Sequence, residues 1–140
     1  MIIAVDFDGT IVEHKYPAIG KPIPFAIETL KQLQNERHIL ILWTVREGRL
    51  LEEAIAYCAA QGLHFFAHNA NFPEENRTNA ARKLTADLFI DDRNFGGLPD
   101  WGVIYQAIKN NVPFSLSFKE NFAELATAQE KKKKKRGWFS

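Results

Sequence analysis

The first twelve residues constrain the fold of this chain more than any other stretch. Residues 2–5 form an apolar run of strand length, and Asp6 and Asp8 follow it directly. Continuous apolar runs are typical of strands covered on both faces, as in a parallel sheet flanked by helices. Gly9 and Thr10 then allow a sharp turn. Because sites in open α/β sheets lie beyond the carboxyl ends of the strands, the two carboxylates are predicted to lie at such a site.

Two acids held close together at a strand end repel each other and lose hydration, so a cation would relieve both costs. The alternative is an ordinary Asp-Gly turn with solvated carboxylates. Two more buried strands are predicted at residues 39–43 and 88–90, and they end in Thr44 and in Asp91 and Asp92. Carboxyl ends of parallel strands share one edge, so these groups are predicted to converge there. Such oxygen-rich sites favour Mg²⁺, and a metal there implies an anionic substrate, most commonly a phosphate.

The remaining pattern alternates strands with helices, which predicts an α/β fold with a central parallel sheet. Residues 13–21 lack periodicity and are predicted to form a flap over the strand end, and Gly62 is a predicted left-handed helix cap. A further short strand is predicted at residues 64–67. Helices are predicted at residues 22–36, 50–58, 80–84 and 101–108. A last helix is predicted to begin at the capping box of Ser117 and Glu120.

The length of 140 residues suits a single domain, which we predict over residues 1–130, with a separate basic tail at residues 131–140. No apolar run approaches the roughly 20 residues of a membrane span, and the first residues lack the pattern of a signal peptide. Cys58 is the only cysteine, which excludes an internal disulfide and favours a reducing compartment. The predicted location is therefore the cytoplasm.

The net charge of +1 hides an uneven distribution along the chain. Residues 131–136 are five lysines and an arginine; without these six, 12 basic side chains face 17 acidic ones, a net charge of −5. The body is therefore not a general polyanion binder. Contact with nucleic acid or an anionic membrane is predicted only for the Lys131 to Arg136 stretch. The alternative for the tail is a solvated extension without a specific partner.

Four motifs follow one another along the chain. They are Asp6-Phe-Asp8-Gly-Thr10, then Thr44 after an apolar strand, then Lys83, and finally Asp91-Asp92 after another apolar strand. In this order they resemble the motifs of the haloacid dehalogenase-like hydrolases. The resemblance covers roughly residues 1–97 and implies a three-layer, Rossmann-like fold. By this resemblance, Asp6 is the nucleophile that forms an aspartyl-phosphate. Asp8 would protonate the leaving alcohol and then activate the water that cleaves the intermediate.

The same resemblance makes Thr44 and Lys83 the phosphate-binding residues. The alternatives are that Thr44 caps the following helix, and that the neighbouring Arg82 faces the phosphate in place of Lys83. It also makes Mg²⁺ the cofactor. The implied metal ligands are Asp6, Asp8 through its main-chain carbonyl, Asp91, and Asp92 through a water molecule.

Arg46 and Arg49 follow Thr44 closely and are candidates for binding a second anionic group of the substrate. The alternative is that both are solvated charges at the start of a helix. Arg93 comes directly after the acid pair. It is a candidate partner of Asp92 in a salt bridge, or a substrate contact.

The segments between the motifs are too short for a cap domain. Residues 10–44 leave room for the flap and one helix, and residues 44–83 for a helix, a short strand and a loop. The predicted site is therefore open, so either a large substrate or a neighbouring subunit of a homo-oligomer would cover it. The run from Asp91 to Arg93 on a capless body resembles the phosphatase domains of polynucleotide end-processing enzymes.

The leading interpretation is a Mg²⁺-dependent phosphomonoester hydrolase, a phosphatase of the haloacid dehalogenase-like type, acting on a phosphorylated small molecule or polymer end. One alternative is a phosphotransferase, which passes the phosphoryl group to an acceptor other than water. The other alternative is a module that binds a phosphorylated ligand without turnover.

Overall fold

The computed structural model describes residues 1–111 of the chain. The elements are β1 (Ile2–Val5), α1 (Ala26–Asn35), β2 (Ile39–Leu42), α2 (Gly48–Ala60), β3 (Ala67–His68), β4 (Leu88–Ile90) and α3 (Trp101–Lys109). The chain divides into two compact units, Met1–Val103 and Ile104–Ser140, and the sheet lies in the first. The predicted domain boundary at residue 130, the helix from Ser117 and the basic tail lie outside the described residues.

The four strands described in residues 1–111 form one parallel sheet with the order β3-β2-β1-β4. Val5 of β1 is paired with Leu42 on one side and with Ile90 on the other. The α/β prediction with a parallel sheet is therefore confirmed, and the arrangement is compatible with a Rossmann-like fold. From β1 the chain progresses outward through β2 to β3 and then returns to the other side of β1. This reversal places a topological switch point between β1 and β4.

Burial on both faces explains the unbroken apolar sequence of β1. Ile3 and Val5 point to one face and are fully buried, while Ala4 points to the other face and is also buried. On its own face, Ala4 belongs to an apolar cluster with Ile41 and Leu84. The sheet is thus held in place from both sides, and its carboxyl edge is a fixed platform for the loops that follow the strands.

The first two helices form where apolar spacing predicted them. α1 buries Ala26, Ile27, Leu30 and Leu33, which recur at helical intervals. After α2, Gly62 has a φ of +81° and donates its amide to the Ala59 carbonyl at 2.9 Å, so the predicted left-handed cap is confirmed. Within residues 1–111, no helix is both long enough and apolar enough to cross a bilayer.

Of two predictions for the segment between α2 and β4, one holds in part and one is wrong. The predicted short strand is present, but it comprises Ala67–His68 in place of residues 64–67. Residues 80–84 form no helix. The Arg77 guanidinium donates to the Arg82 carbonyl at 2.7 Å, so a side chain from the preceding loop holds the backbone of this segment. A run of five residues is also too short to overcome the cost of helix nucleation unaided.

Candidate functional site

The switch point between β1 and β4 brings together Asp6, Asp91 and Asp92, which we call the acid cluster. The Asp6 amide donates to the Ile90 carbonyl at 2.9 Å, which continues the pairing of β1 with β4 one residue beyond the strand. One carboxylate oxygen from each acid lies within 4.8 Å of those of the other two. A Mg²⁺ ion that binds oxygens at about 2.1 Å, directly or through water, can span such a group.

Thr10 holds the acid cluster together from the loop after β1. Its hydroxyl donates to Asp6 Oδ2 at 3.2 Å and accepts the Asp92 amide at 3.1 Å, so it joins the two strand ends. Gly9 next to it has a φ of +84°, and a Cβ there would collide with the Asp92 carboxylate. Asp91 is held separately, because its Oδ1 accepts the Arg93 amide at 2.9 Å.

The acid cluster carries more negative charge than its surroundings neutralise. The pKa of Asp6 is raised from 3.8 to about 7, chiefly by burial and then by hydrogen bonding with Asp92 and by the charge of Asp91. Asp92 Oδ1 is buried and has no hydrogen-bond partner among the described residues. A divalent cation would satisfy this oxygen and compensate the repulsion, so the residues present fit a hard metal ion.

Asp8 lies only two residues after Asp6 but has a different environment. Its two carboxylate oxygens accept from Arg46, Oδ2 from Nε at 2.8 Å and Oδ1 from Nη2 at 2.7 Å. Its side chain does not belong to the acid cluster, whose members are Asp6 and the two acids after β4. The catalytic acid–base role predicted for Asp8 therefore requires one of its oxygens to leave the guanidinium and take up a proton.

Arg46 is fully buried, so the alternative that it is a solvated charge is wrong. Besides Asp8, its guanidinium donates to the carbonyls of Pro17 at 3.1 Å, Ala18 at 3.0 Å and Leu50 at 3.5 Å. An arginine side chain has five N–H donors, and all five are used here. In this arrangement Arg46 offers no donor to a substrate, contrary to the substrate-binding role considered for it.

The remaining cationic candidates are exposed. The Arg49 side chain is 84% exposed and forms an ion pair of 3.6 Å with Glu53, as expected of a solvated charge in the first turn of α2. The Lys83 ammonium lies 5.4 Å from the centre of the Phe89 ring, and Arg93 is exposed. The ion pairs described within residues 1–111 do not join Arg93 to Asp92. The substrate-contact roles of these residues stay predictions.

Thr44 follows β2 at the same edge of the sheet. Its hydroxyl oxygen accepts the Arg46 amide at 3.1 Å, and Arg46 precedes α2, so the alternative of a helix cap is wrong. This bond leaves the hydroxyl hydrogen of Thr44 available for donation. Sequence reasoning missed Asn69, whose side chain accepts the Thr44 amide at 2.8 Å and donates to the Arg46 carbonyl at 3.3 Å. An asparagine just after a strand, where a positive φ is tolerated, was the available signal.

Fold and site together define an α/β protein with a carboxylate cluster at the switch point of a parallel sheet. The chain is similar to a solved structure described as a conserved protein from Bacteroides thetaiotaomicron. The two are 65% identical, with a TM-score of 0.78, over 82% of this chain and 94% of that one. The chain therefore belongs to the family of that conserved Bacteroides thetaiotaomicron protein. No family model matches the chain, and no curated protein does either.

Proposed function

We propose that this protein is a Mg²⁺-dependent phosphomonoester hydrolase of the haloacid dehalogenase-like type. The observation that supports it best is the acid cluster. There, a buried oxygen of Asp92 has no hydrogen-bond partner among residues 1–111, and the neighbouring Asp6 has a pKa of about 7. A bound Mg²⁺ would neutralise charge on these carboxylates and on phosphoryl oxygens of the substrate. In the proposed site it is held by Asp6, by Asp91, by Asp92 and by the main-chain carbonyl of Asp8.

In the proposed reaction, an Asp6 oxygen attacks phosphorus and the bond from phosphorus to the ester oxygen breaks. One oxygen of Asp8 leaves Arg46 and takes up a proton from solvent, while the other stays on the guanidinium. Asp8 then gives that proton to the departing oxygen, so that an alcohol leaves. Water then attacks the phosphorus of the aspartyl-phosphate and passes a proton to Asp8, which frees inorganic phosphate and regenerates Asp6. Thr44 donates its hydroxyl hydrogen to a phosphoryl oxygen, and Lys83 turns from Phe89 towards the developing charge.

The short connections support a capless, three-layer, Rossmann-like version of this fold. The flap and α1 fill the path from β1 to β2, and α2, β3 and an irregular segment fill the path from β2 to β4. An open site suits a large phosphorylated substrate, such as a polymer end, which itself covers the reacting atoms. A second copy of the chain would serve the same purpose in a homo-oligomer.

The test of this function is Mg²⁺-dependent release of phosphate. Purified protein is incubated with aryl phosphates, phosphorylated metabolites, oligonucleotides with terminal phosphates and phosphopeptides, with Mg²⁺ or with a chelator. We expect release only with Mg²⁺, and a phosphoryl adduct on the peptide that contains Asp6. Asp100→Asn is a matched control, because Asp100 is an exposed acid whose Oδ1 accepts the Gly102 amide, and asparagine keeps that acceptor. Chelated protein that hydrolyses at the full rate would contradict the proposal.

A second candidate function is a module that binds a phosphorylated ligand without turnover. The bidentate pairing of Asp8 with Arg46 favours it, since both oxygens of the proposed acid–base group are engaged. Mg²⁺-dependent binding of a phosphorylated compound, measured by calorimetry, with neither phosphate release nor an adduct on Asp6 would establish this alternative. Transfer to an added alcohol in place of water would instead indicate a phosphotransferase.

A further inference from the structure

We propose that Arg46 is a positioning residue that fastens the flap, residues 13–21, to the carboxylate of Asp8, so that flap and carboxylate move together. The proposal rests on the function proposed above, because the importance of Asp8 orientation comes from its role in proton transfer. The inference concerns Arg46 itself, which contacts the Asp8 carboxylate but does not belong to the acid cluster.

One planar group makes this connection. The Nη2 atom of Arg46 donates to Asp8 Oδ1 at 2.7 Å and to the Ala18 carbonyl at 3.0 Å, so a single nitrogen bridges the strand-end loop and the flap. Nη1 adds the Pro17 carbonyl at 3.1 Å. The ring of Tyr16, also in the flap, lies 5.3 Å from the guanidinium carbon, a distance typical of a cation–π contact.

The flap has two attachments of different kinds. At its base, the Glu13 amide donates to the Lys21 carbonyl at 2.7 Å, a backbone bond that closes the loop. At its tip, the carbonyls of Pro17 and Ala18 are bound by the side chain of Arg46. The base therefore resists opening through the backbone, whereas movement of the tip requires Arg46 to give up its acceptors.

Because the same guanidinium holds Asp8, displacement of the flap tip changes the contacts that orient the carboxylate. The guanidinium is rigid and planar, so its bonds to Asp8 and to the flap cannot be adjusted independently. A lysine would place one ammonium with three donors at the same point and could not reproduce the fork. A substrate that enters beneath the flap would thus change the orientation of the Asp8 carboxylate as the leaving group of the substrate reaches it.

The first arm of the test reports on the flap and needs no enzymatic activity. Lys15 is exposed in the flap, so trypsin cleavage after Lys15 in the folded protein measures opening of the flap. We expect Arg46→Met, Arg46→Lys and Asp8→Asn each to raise the cleavage rate by about tenfold. Arg37→Met removes an exposed arginine just before β2 and should leave the rate unchanged. Arg46→Lys keeps the positive charge and decides the outcome if Arg46→Met does not fold.

The second arm separates a positioning role from a general structural one. With phenyl phosphate, whose leaving group needs a proton, we expect Arg46→Lys to lower kcat by about 10- to 100-fold. With 2,4-dinitrophenyl phosphate, which leaves readily, we expect a loss below about threefold. Equal losses with both substrates would indicate general damage and overturn the positioning role of Arg46.

The two arms distinguish failure of the proposed function from failure of the inference about Arg46. If wild-type protein releases no phosphate from any substrate, the proposed function fails, while the trypsin result still decides whether Arg46 couples the flap to Asp8. If cleavage after Lys15 rises in Arg46→Lys but not in Asp8→Asn, the flap and the carboxylate are not coupled and the inference is overturned. Unchanged cleavage in both variants overturns it as well.

Discussion

Two carboxylates lie two residues apart at the end of one strand, and their surroundings have opposite electrostatic character. Asp8 is balanced within the chain, since a buried arginine binds both of its oxygens. Asp6 shares its site with two other acids, and its pKa is raised to about 7 chiefly by burial and then by Asp92 and Asp91. One carboxylate has its counter-charge built into the fold, and the other has none among the described residues.

This contrast indicates which part of the strand end is organised to accept a ligand. A buried ion pair with every donor satisfied contributes to the fold. Removing either partner leaves the other as a buried charge without compensation. The acid cluster, in which a buried oxygen has no partner within residues 1–111, destabilises the folded state unless a cation binds. The acid cluster could therefore bind an external cation, whereas the charge of Asp8 is already compensated by Arg46.

The largest expected effect comes from Asp6→Asn. The change keeps the volume of the side chain but removes the carboxylate that we propose as the nucleophile, so we expect kcat to fall by about 10³-fold or more. Stability should not fall with it, because the amide relieves repulsion within the acid cluster. Phosphate release and thermal unfolding measured on the same sample test both statements, and near-normal turnover would refute the assignment of the nucleophile.

Disrupting the pair of Asp8 with Arg46 should have the largest effect on stability. Arg46→Met strands a buried carboxylate, and we expect it to lower the free energy of unfolding by about 3–5 kcal/mol in urea titrations. Combining it with Asp8→Asn removes the stranded charge, so the double variant should be more stable than Arg46→Met alone. A double variant whose loss equals the sum of the single losses would mean that the two residues do not act as a pair.

The contribution of the acid cluster to stability should change with pH in the opposite direction from that of a typical salt-bridged carboxylate. In metal-free protein the pKa of Asp6 is about 7 against 3.8 for an unperturbed group, so the folded state holds a proton that the unfolded chain has lost. This contribution to stability is complete below about pH 4 and is lost as the pH rises through about 7. Mg²⁺ replaces the proton, so the increase in Tm on adding Mg²⁺ should be greater at about pH 8 than at about pH 6. Asp6→Asn should abolish that difference.

The smallest expected effect is that of Asp92→Asn in the absence of metal. Removing one charge from the acid cluster and replacing an unpaired oxygen should raise the free energy of unfolding by about 1 kcal/mol. The same change should weaken stabilisation by Mg²⁺. A loss of stability in the metal-free variant would show that the repulsion in the acid cluster is already compensated.

The sequence predicted those features that depend on local pattern. The strands appear as apolar runs because both faces of the sheet are buried, and the position of Asp6 and Asp91 at one edge follows from parallel pairing alone. The environment of Arg46 did not follow, because arginine is rarely fully buried and its partners, Asp8 and two flap carbonyls, lie 28 to 38 residues away in sequence.

The segment before β4 illustrates the same limit. Residues 80–84 have helix-forming composition, but Asn71 accepts the Thr85 amide at 2.8 Å and Arg77 binds a carbonyl within the segment. Side chains from earlier in the loop thus compete with helix formation, and their reach depends on tertiary structure. Asn69 was missed for a related reason, since its bonds to Thr44 and Arg46 join segments more than 20 residues apart.

The indole of Trp101 donates to the Thr10 carbonyl at 3.1 Å and is almost fully buried. Thr10 also bonds Asp6 and the Asp92 amide, so one residue lies between the indole and the acid cluster. Indole emission depends on the field and the hydrogen bonding around the ring. Because Trp43 and Trp138 also emit, replacing both with phenylalanine would leave this indole as an optical reporter of charge at the strand end. A fluorescence titration of that variant would then test for cation binding without any attached dye.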